Sequence, residues 1–370
     1  METIKSKKKI KKIVLIGIIT LLALYLVGGT IASYFIYSAS FPRNDVDYSQ
    51  IFVPNLNYGD IDHEKYARTE FKFESGKNTL TGYDFGLKNT RGLVLISSGS
   101  GGTGDDYMNF VTRFVDDGYR VITYDMTGTA KSEGKGARGV YQGALDVDAL
   151  LTYVESQSRY DDLQIFLLGH SWGGYGVCAA LKNPHRVSAV VSMAGYNDGA
   201  EVFVEQGVSM AGSGFYVLYP HLWVIQKITF GSAMGVSGVD GINAVDIPVL
   251  IIQGDHDEAI TTDGLSIYAH RKDVTNKKTE FLLTEGSHEW LYSSQAAKDY
   301  IAEVQENWSE YRESPEIKVI LESGDADAIN KIRKQWASDF GFDKFLYNEI
   351  DESIIAKMEA LFDATQTSIS

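Results

Sequence analysis

The chain has 370 residues and a formal net charge of −15, with 34 Lys and Arg against 49 Asp and Glu. Residues 1–12 hold six Lys and one Glu, so the remainder carries −20, which argues against nucleic acid or an anionic membrane surface as the partner of that remainder. The single cysteine, Cys178, excludes an intrachain disulfide and reads as a small buried residue on a helix.

Lys5, Lys7, Lys8, Lys9, Lys11 and Lys12 precede an uncharged apolar run from Ile13 to Ala39. At about 1.5 Å per residue this run exceeds the hydrocarbon core of a bilayer, about 30 Å. It is also longer than the h-region of a secretory signal, about 7–15 residues. The sequence predicts a cytoplasmic tail over 1–12 and a transmembrane signal-anchor over 13–39, with the rest outside the cell. Ser38-Ala39-Ser40 has the small residues of a cleavage site, the alternative to a retained anchor. Tyr34, Phe35 and Tyr37 fall where an outer aromatic belt belongs. No Cys lies near the run, which excludes a lipoprotein anchor.

Residues 40–67 are polar, include Pro42 and Pro54, and read as a stalk. Residues 69–74 and 79–85 alternate in polarity around Ser75-Gly76-Lys77-Asn78, the pattern of a β-hairpin. From Gly92 onward, apolar strands alternate with amphipathic helices. Strands are expected over 93–96, 120–124, 163–168, 187–193, 248–253 and 279–283, with helices over 107–117, 141–155 and 175–181. Such alternation implies an α/β fold: a mostly parallel sheet with helices on both faces. The core should occupy 68–196 and 247–306. Residues 197–246 interrupt it with a Gly-, Met- and aromatic-rich stretch, read as a helical cap or a plain helical insertion. Residues 307–370 form a helical extension with amphipathic segments over 329–340 and 350–362.

The strand over 163–168 runs directly into Gly169-His170-Ser171-Trp172-Gly173-Gly174. A buried strand that turns into a helix through Gly-x-Ser-x-Gly is the pattern of a nucleophile elbow, with the Ser exposed above the sheet. A serine hydroxyl needs a base, and the base needs an orienting carboxylate. Catalytic groups of open parallel sheets sit in loops at the strand carboxyl ends. This selects Ser171, the loop Asp255–Glu258, and His288 in Glu285-Gly286-Ser287-His288. Asp255-His256-Asp257 also contains potential metal ligands, but adjacent loop residues seldom converge on one ion. The glycines over 99–104 lack the Gly-Lys-Ser/Thr ending of a phosphate-binding loop.

With these motifs in place, the chain resembles an α/β-hydrolase over about residues 68–305. Gly254-Asp255-His256-Asp257 resembles the family's Gly-x-x-Asp segment, which implies Asp257 as the triad acid, and Gly286-Ser287-His288 resembles the loop carrying the base. Asp125 to Ser132 is similar to Asp-x-x-Gly-x-Gly-x-Ser, with Ala130 replacing the second Gly. The resemblance implies an oxyanion hole from the backbone N–H of Trp172 and of a residue after the first strand of the alternating region. There Ser98 stands where the family usually has His, and Ser100 is the implied donor, with Gly101 second. The expected activity is hydrolysis of a carboxylic ester, of esterase or lysophospholipase type, through an acyl-enzyme and with no cofactor or metal. A peptidase or amidase of the same fold and an inactive surface binding protein are the alternatives. The expected partners are a small-molecule or lipid ester and, through the N-terminal helix, the membrane. The cap's aromatics suggest an apolar acyl pocket.

Overall fold

The computed structural model describes residues 2–48 and 50–366. Residues 367–370 of the expected C-terminal extension lie outside the described residues. Among the described residues there are eight strands: β1 (Arg68–Ser75), β2 (Asn78–Phe85), β3 (Leu93–Ser97), β4 (Arg120–Tyr124), β5 (Ile165–His170), β6 (Val187–Met193), β7 (Val249–Gly254) and β8 (Thr279–Thr284). The helices are α1 (Glu2–Ala39), α2 (Met108–Asp116), α3 (Gln142–Glu155), α4 (Trp172–Ala179), α5 (Gly199–Ala211), α6 (Tyr219–Phe230), α7 (Gly238–Asn243), α8 (Gln295–Arg312), α9 (Pro315–Ser323), α10 (Ala326–Phe340), α11 (Lys344–Tyr347) and α12 (Glu352–Gln366). They form two compact units. One comprises Met1–Pro42, Arg138–Tyr141 and Gly199–Gly235; the other comprises Arg43–Ala137, Gln142–Asp198 and Val236–Ser370.

The second unit holds the sheet, in the order β1-β2-β4-β3-β5-β6-β7-β8. β1 and β2 form the expected hairpin, paired from Arg68↔Phe85 to Ser75↔Asn78, and β2 joins β4 antiparallel. Every pair from β4 to β8 is parallel. Every residue of β3, β5 and β7 is buried, as continuous Val/Ile/Leu runs require when helices cover both faces. α3 and α4 contribute the buried residues Leu150, Leu151, Tyr175 and Val177. A separate cluster joins Val94, Phe166 and Leu250 of the sheet to Phe110 and Phe114 of α2 and to Met358 and Phe362 of α12.

Two sequence-based expectations for this unit are corrected. Residues 43–67 are not a free stalk. Leu56, Ile61 and Tyr66 are buried in the core cluster. The Arg43 guanidinium donates to the carbonyls of Ala130, Ser132 and Gly134, and Phe52 packs edge-on against Trp336. These anchors are single residues spread through polar sequence, so no periodicity betrays them. Nor is 307–370 an appendage beginning at a natural boundary. Residue 307 lies inside α8, and α12 closes the main core, with the Phe362 ring stacked on Phe166 at 4.3 Å. α8, α10 and α11 form a smaller cluster of Ile301, Val304, Trp336 and Tyr347.

The first unit holds α1, α5 and α6. The helical content expected for 197–246 is present, but the excursion is narrower than that. The Asn197 carbonyl and side chain accept from Gly238 and Val239 N–H, so α7 is fastened to the sheet unit. Within the first unit, Tyr37 lies between Phe41 and Phe203, with ring centroids 5.1 and 5.2 Å away. Lys9–Ala39 of α1 is long and apolar enough to cross a membrane.

Because Phe362 is fully buried against the sheet, Phe362→Ala should destabilise the protein by about 3–5 kcal/mol. Denaturant unfolding reads this directly. A loss under about 1 kcal/mol would mean that α12 is dispensable to the core.

Candidate active site

β5 passes into α4 through a single residue, Ser171. Its backbone sits at φ 55°, ψ −115°, a left-sided conformation that side chains rarely adopt. Its N–H donates to the Met193 carbonyl at 2.8 Å, and its carbonyl accepts from Tyr175 N–H at 3.0 Å. A Cβ at Gly169 would lie 2.2 Å from the Gly173 carbonyl oxygen, and one at Gly173 would lie 2.0 Å from that of Ser97. Only glycine fits either place.

Asp257 and His288 lie in the loops after β7 and β8. The Asp257 side chain is fully buried and meets His288 Nδ1 at 2.8 Å through Oδ2. Oδ1 accepts from Ala259 and Ile260 N–H at 3.0 and 2.8 Å. Gln253, the one polar side chain of β7 before its terminal glycine, donates Nε2 to Oδ2 at 2.9 Å. The carboxylate is thereby fixed from both oxygens, and it fixes the imidazole with the proton on Nδ1. That leaves Nε2 of a neutral ring as the basic nitrogen. Asp255 faces elsewhere: Oδ1 meets His256 Nδ1 at 2.6 Å and accepts from Gly286 N–H at 3.0 Å. The three potential ligands therefore do not converge, and Asp255 instead ties the two loops together.

Ser171 and His288 line one cavity of about 430 Å³, together with Gly99 and Ser100. A Cβ built on Gly99 would stand 3.6 Å from Ser171 Cβ, so this loop passes directly beside the serine. Ser98, in the usual place of a His, donates Oγ to the Thr103 carbonyl and braces the loop. Trp172 opens α4, so its backbone N–H lies at the positive end of the helix. The rest of the lining is mostly polar, with Asn44, Asn55, Asn109 and Asn348 beside the apolar Leu56. The sheet unit by itself thus forms a largely polar cavity at Ser171.

Sequence reasoning missed the support of His288. His170 Nε2 lies 2.8 Å from the His288 carbonyl oxygen. A carbonyl only accepts, so Nε2 carries the proton and Nδ1 accepts from the Tyr107 hydroxyl at 2.6 Å. Burial, followed by the neighbouring His288, pushes the His170 pKa down to about 3, so the ring stays neutral. Tyr107 holds a left-handed backbone at φ 59° before α2. Burial raises its phenol well above the ordinary value, which keeps it a donor. Cys178 is fully buried, and its thiol is pushed up to about 12 by burial, so it has no nucleophilic character.

Residues 88–337 match the family model described as serine aminopeptidase, S33. The chain belongs to this family of α/β hydrolases. Among curated proteins it is 29% identical over 110 residues to the quorum-quenching protein AidA of Acinetobacter baumannii, covering 29% of this chain and 36% of that one. It is 27% identical over 136 residues to the monoglyceride lipase of Saccharomyces cerevisiae, covering 35% and 39%. The chain thus spans about a third of the length of the curated relatives it matches. Among solved structures, an esterase of Pyrococcus furiosus superposes with a TM-score of 0.49 at 16% identity, covering 71% of this chain and 97% of that one. In this S33 chain the Asp125 loop keeps its structural bonds: Asp125 accepts from Gly104 and Lys131 N–H and from the Tyr83 hydroxyl. Ala130 there takes φ 38°, a strained left-handed value for a residue with a Cβ.

His170 has an ordinary pKa of 6.5 and a folded pKa of about 3. Folding favours its neutral form, so its contribution to stability is complete above pH 6.5 and drains away as pH falls toward 3. Replacing it by Asn removes that titration. The stability difference between wild type and His170→Asn, from urea unfolding at several pH values, should shrink as pH falls from 7 to 4. A constant difference would show that His170 is not held neutral.

Proposed function

We propose that this protein is a membrane-anchored serine hydrolase that cleaves carboxylic esters through Ser171, His288 and Asp257. The observation that carries the reading is the 2.8 Å pairing of His288 Nδ1 with the buried Asp257 carboxylate, beside a cavity that Ser171 also lines. His288 Nε2 takes the Ser171 proton as Oγ attacks the ester carbonyl. The oxyanion is held by the N–H groups of Trp172 and Ser100. His288 then gives the proton to the leaving alcohol, and a water activated by the same nitrogen releases the acyl-enzyme. The Asn-rich lining suits a hydroxyl-bearing alcohol such as the glycerol of a monoacylglycerol. α1 holds the enzyme at the membrane with its catalytic unit outside the cell.

A fluorophosphonate probe should label wild type and not Ser171→Ala. Ser171→Ala should lower kcat by about 10⁶, and Asp257→Asn by about 10⁴. No labelling of the folded wild-type protein would sink the reading and favour a binding role. Two additional hydroxyl contacts at about 0.5–1.5 kcal/mol each should make kcat/KM for a monoacylglycerol about tenfold higher than for a simple alkyl ester of the same acyl chain.

A peptidase reading has one observation of its own. Glu289 lines the cavity and offers a carboxylate to a free amino terminus. Glu201 and Glu205 of the 199–235 excursion are exposed, and Glu205 accepts from the Tyr216 hydroxyl. Faster turnover of aminoacyl amides than of esters, lost in Glu289→Gln, would favour this reading.

A further inference from the structure

The unit that contains α1 also presents apolar surface outside it. Met210, Tyr216, Val217, Tyr219, Trp223, Val224 and Ile228 are exposed, Met210 at 89% and Ile228 at 81%. These seven fall within residues 199–235. The whole sheet unit exposes only Ile51, Leu87, Leu283, Val319 and Phe345 among its described large apolar residues. From Gln206 to Gln226 there is no Asp, Glu, Lys or Arg, although the chain beyond residue 12 carries −20. An exposed patch of this kind marks a surface that meets something apolar.

What it meets is indicated by the helix beside it. The Tyr25 hydroxyl donates to the Val217 carbonyl at 3.0 Å. Thr30 Oγ1 lies 3.1 Å from His221 Nδ1. The rings of Tyr25 and His221 meet at 4.7 Å. A Cβ at Gly29 would lie 2.4 Å from His221 Nε2, so the close approach needs a glycine, as small-residue contacts between membrane helices do. Further along, Tyr37 and Phe41 meet Phe203.

These contacts fix a depth. A hydrocarbon core of about 30 Å takes about 20 helical residues. Counted from Lys12, the last cation, the outer boundary falls near residue 32. Tyr25 is seven residues below it, or about 10 Å. Its partner Val217 must sit at that depth, while Phe203, beside Tyr37 and Phe41, stays outside. We infer that the 199–235 excursion dips into the outer leaflet beside α1, with the 3₁₀ turn Ser213–Leu218 as its deepest point and a lipid bilayer as the occupant of its apolar face. The local structure suits lipid. Gly212 and Phe215 N–H groups are bonded within the excursion, and the Val217 carbonyl is met by Tyr25. Pro220, in the first turn of α6, brings no N–H where one would be orphaned. Tyr216, Tyr219 and Trp223 supply the residue types of an interfacial belt.

This inference rests on the reading that α1 is a retained membrane span, and the experiment separates the two. Full-length protein is placed in phosphatidylcholine–phosphatidylglycerol liposomes with an environment-sensitive fluorophore on one introduced thiol. The variants are Val217→Cys, Trp223→Cys, Leu21→Cys in α1 and Val319→Cys on the sheet unit. All four positions are exposed, and the native thiol is buried, so the wild type serves as the blank. Spin-labelled lipid should quench the Leu21→Cys and Val217→Cys probes, and the Trp223→Cys probe more weakly, while aqueous iodide quenches the Val319→Cys probe. If iodide quenches the Val217→Cys and Trp223→Cys probes while lipid quenches the Leu21→Cys probe, the excursion lies outside the membrane. The inference then falls and the anchor stands. If iodide also reaches the Leu21→Cys probe, both fall together.

Discussion

The space between β5 and α4 admits no Cβ at residues 169 and 173, and the geometry of the site descends from that fact. The chain can reverse within one residue only if Gly173 lies against the Ser97 and Ser98 carbonyls, at the carboxyl end of β3. Ser171 then takes its strained backbone and stands beside Gly99. The same contact sets the loop after β3 next to the start of α4. The strain is retained because β5 is hydrogen-bonded on both sides, to β3 and to β6. A local conformation that costs on the order of 1–3 kcal/mol persists when its surroundings over-determine it.

The other half of the candidate site shows how one imidazole is held in place. His288 is held at its ring by Asp257 and at its carbonyl by His170. Each holder is itself held, Asp257 by Gln253 and two backbone N–H groups, and His170 by Tyr107. The His288 carbonyl and the Asp257 carboxylate can only accept, so they fix the tautomers of His170 and His288, and the Tyr107 hydroxyl donates to the ring nitrogen left without a proton. In the proposed acyl transfer, a neutral His170 would keep a second positive charge away from an imidazolium at His288.

Legibility in the sequence followed the length scale of the cause. The parallel strands β3 to β7 were readable because each is a near-continuous apolar run of five to seven residues. Gly169, Ser171 and Gly173 were readable because one turn dictates all three. The roles of Tyr107, Gln253 and His170 were not, since each depends on a partner 4 to 118 residues away. Gln253 did leave a trace, as a lone amide ending a wholly apolar strand. The 40–67 segment reads as a stalk because Leu56, Ile61 and Tyr66 make their contacts singly, and nothing local in the sequence distinguishes α12, which closes the core, from a peripheral helix.

The charge distribution then acquires a physical sense. A sheet unit carrying the −20 charge is repelled by an anionic bilayer, at a range of about 8–10 Å in physiological salt. An uncharged, aromatic-rich stretch is the part of such a chain that can approach lipid without that cost. The chain concentrates its exposed apolar side chains in the one unit that contains α1, and it leaves the cavity over Ser171 lined with amides. Under the proposed function, two different solvents would be addressed by two different surfaces: hydrocarbon by the excursion and its helix, and the polar portion of a substrate by the sheet unit. If the loss of apolar area on Trp223→Ala and Val217→Ser slowed turnover of vesicle-borne ester but not of a dispersed short-chain ester, the two surfaces would be working in sequence on one substrate. Equal losses on both would mean that the excursion shapes the active site itself.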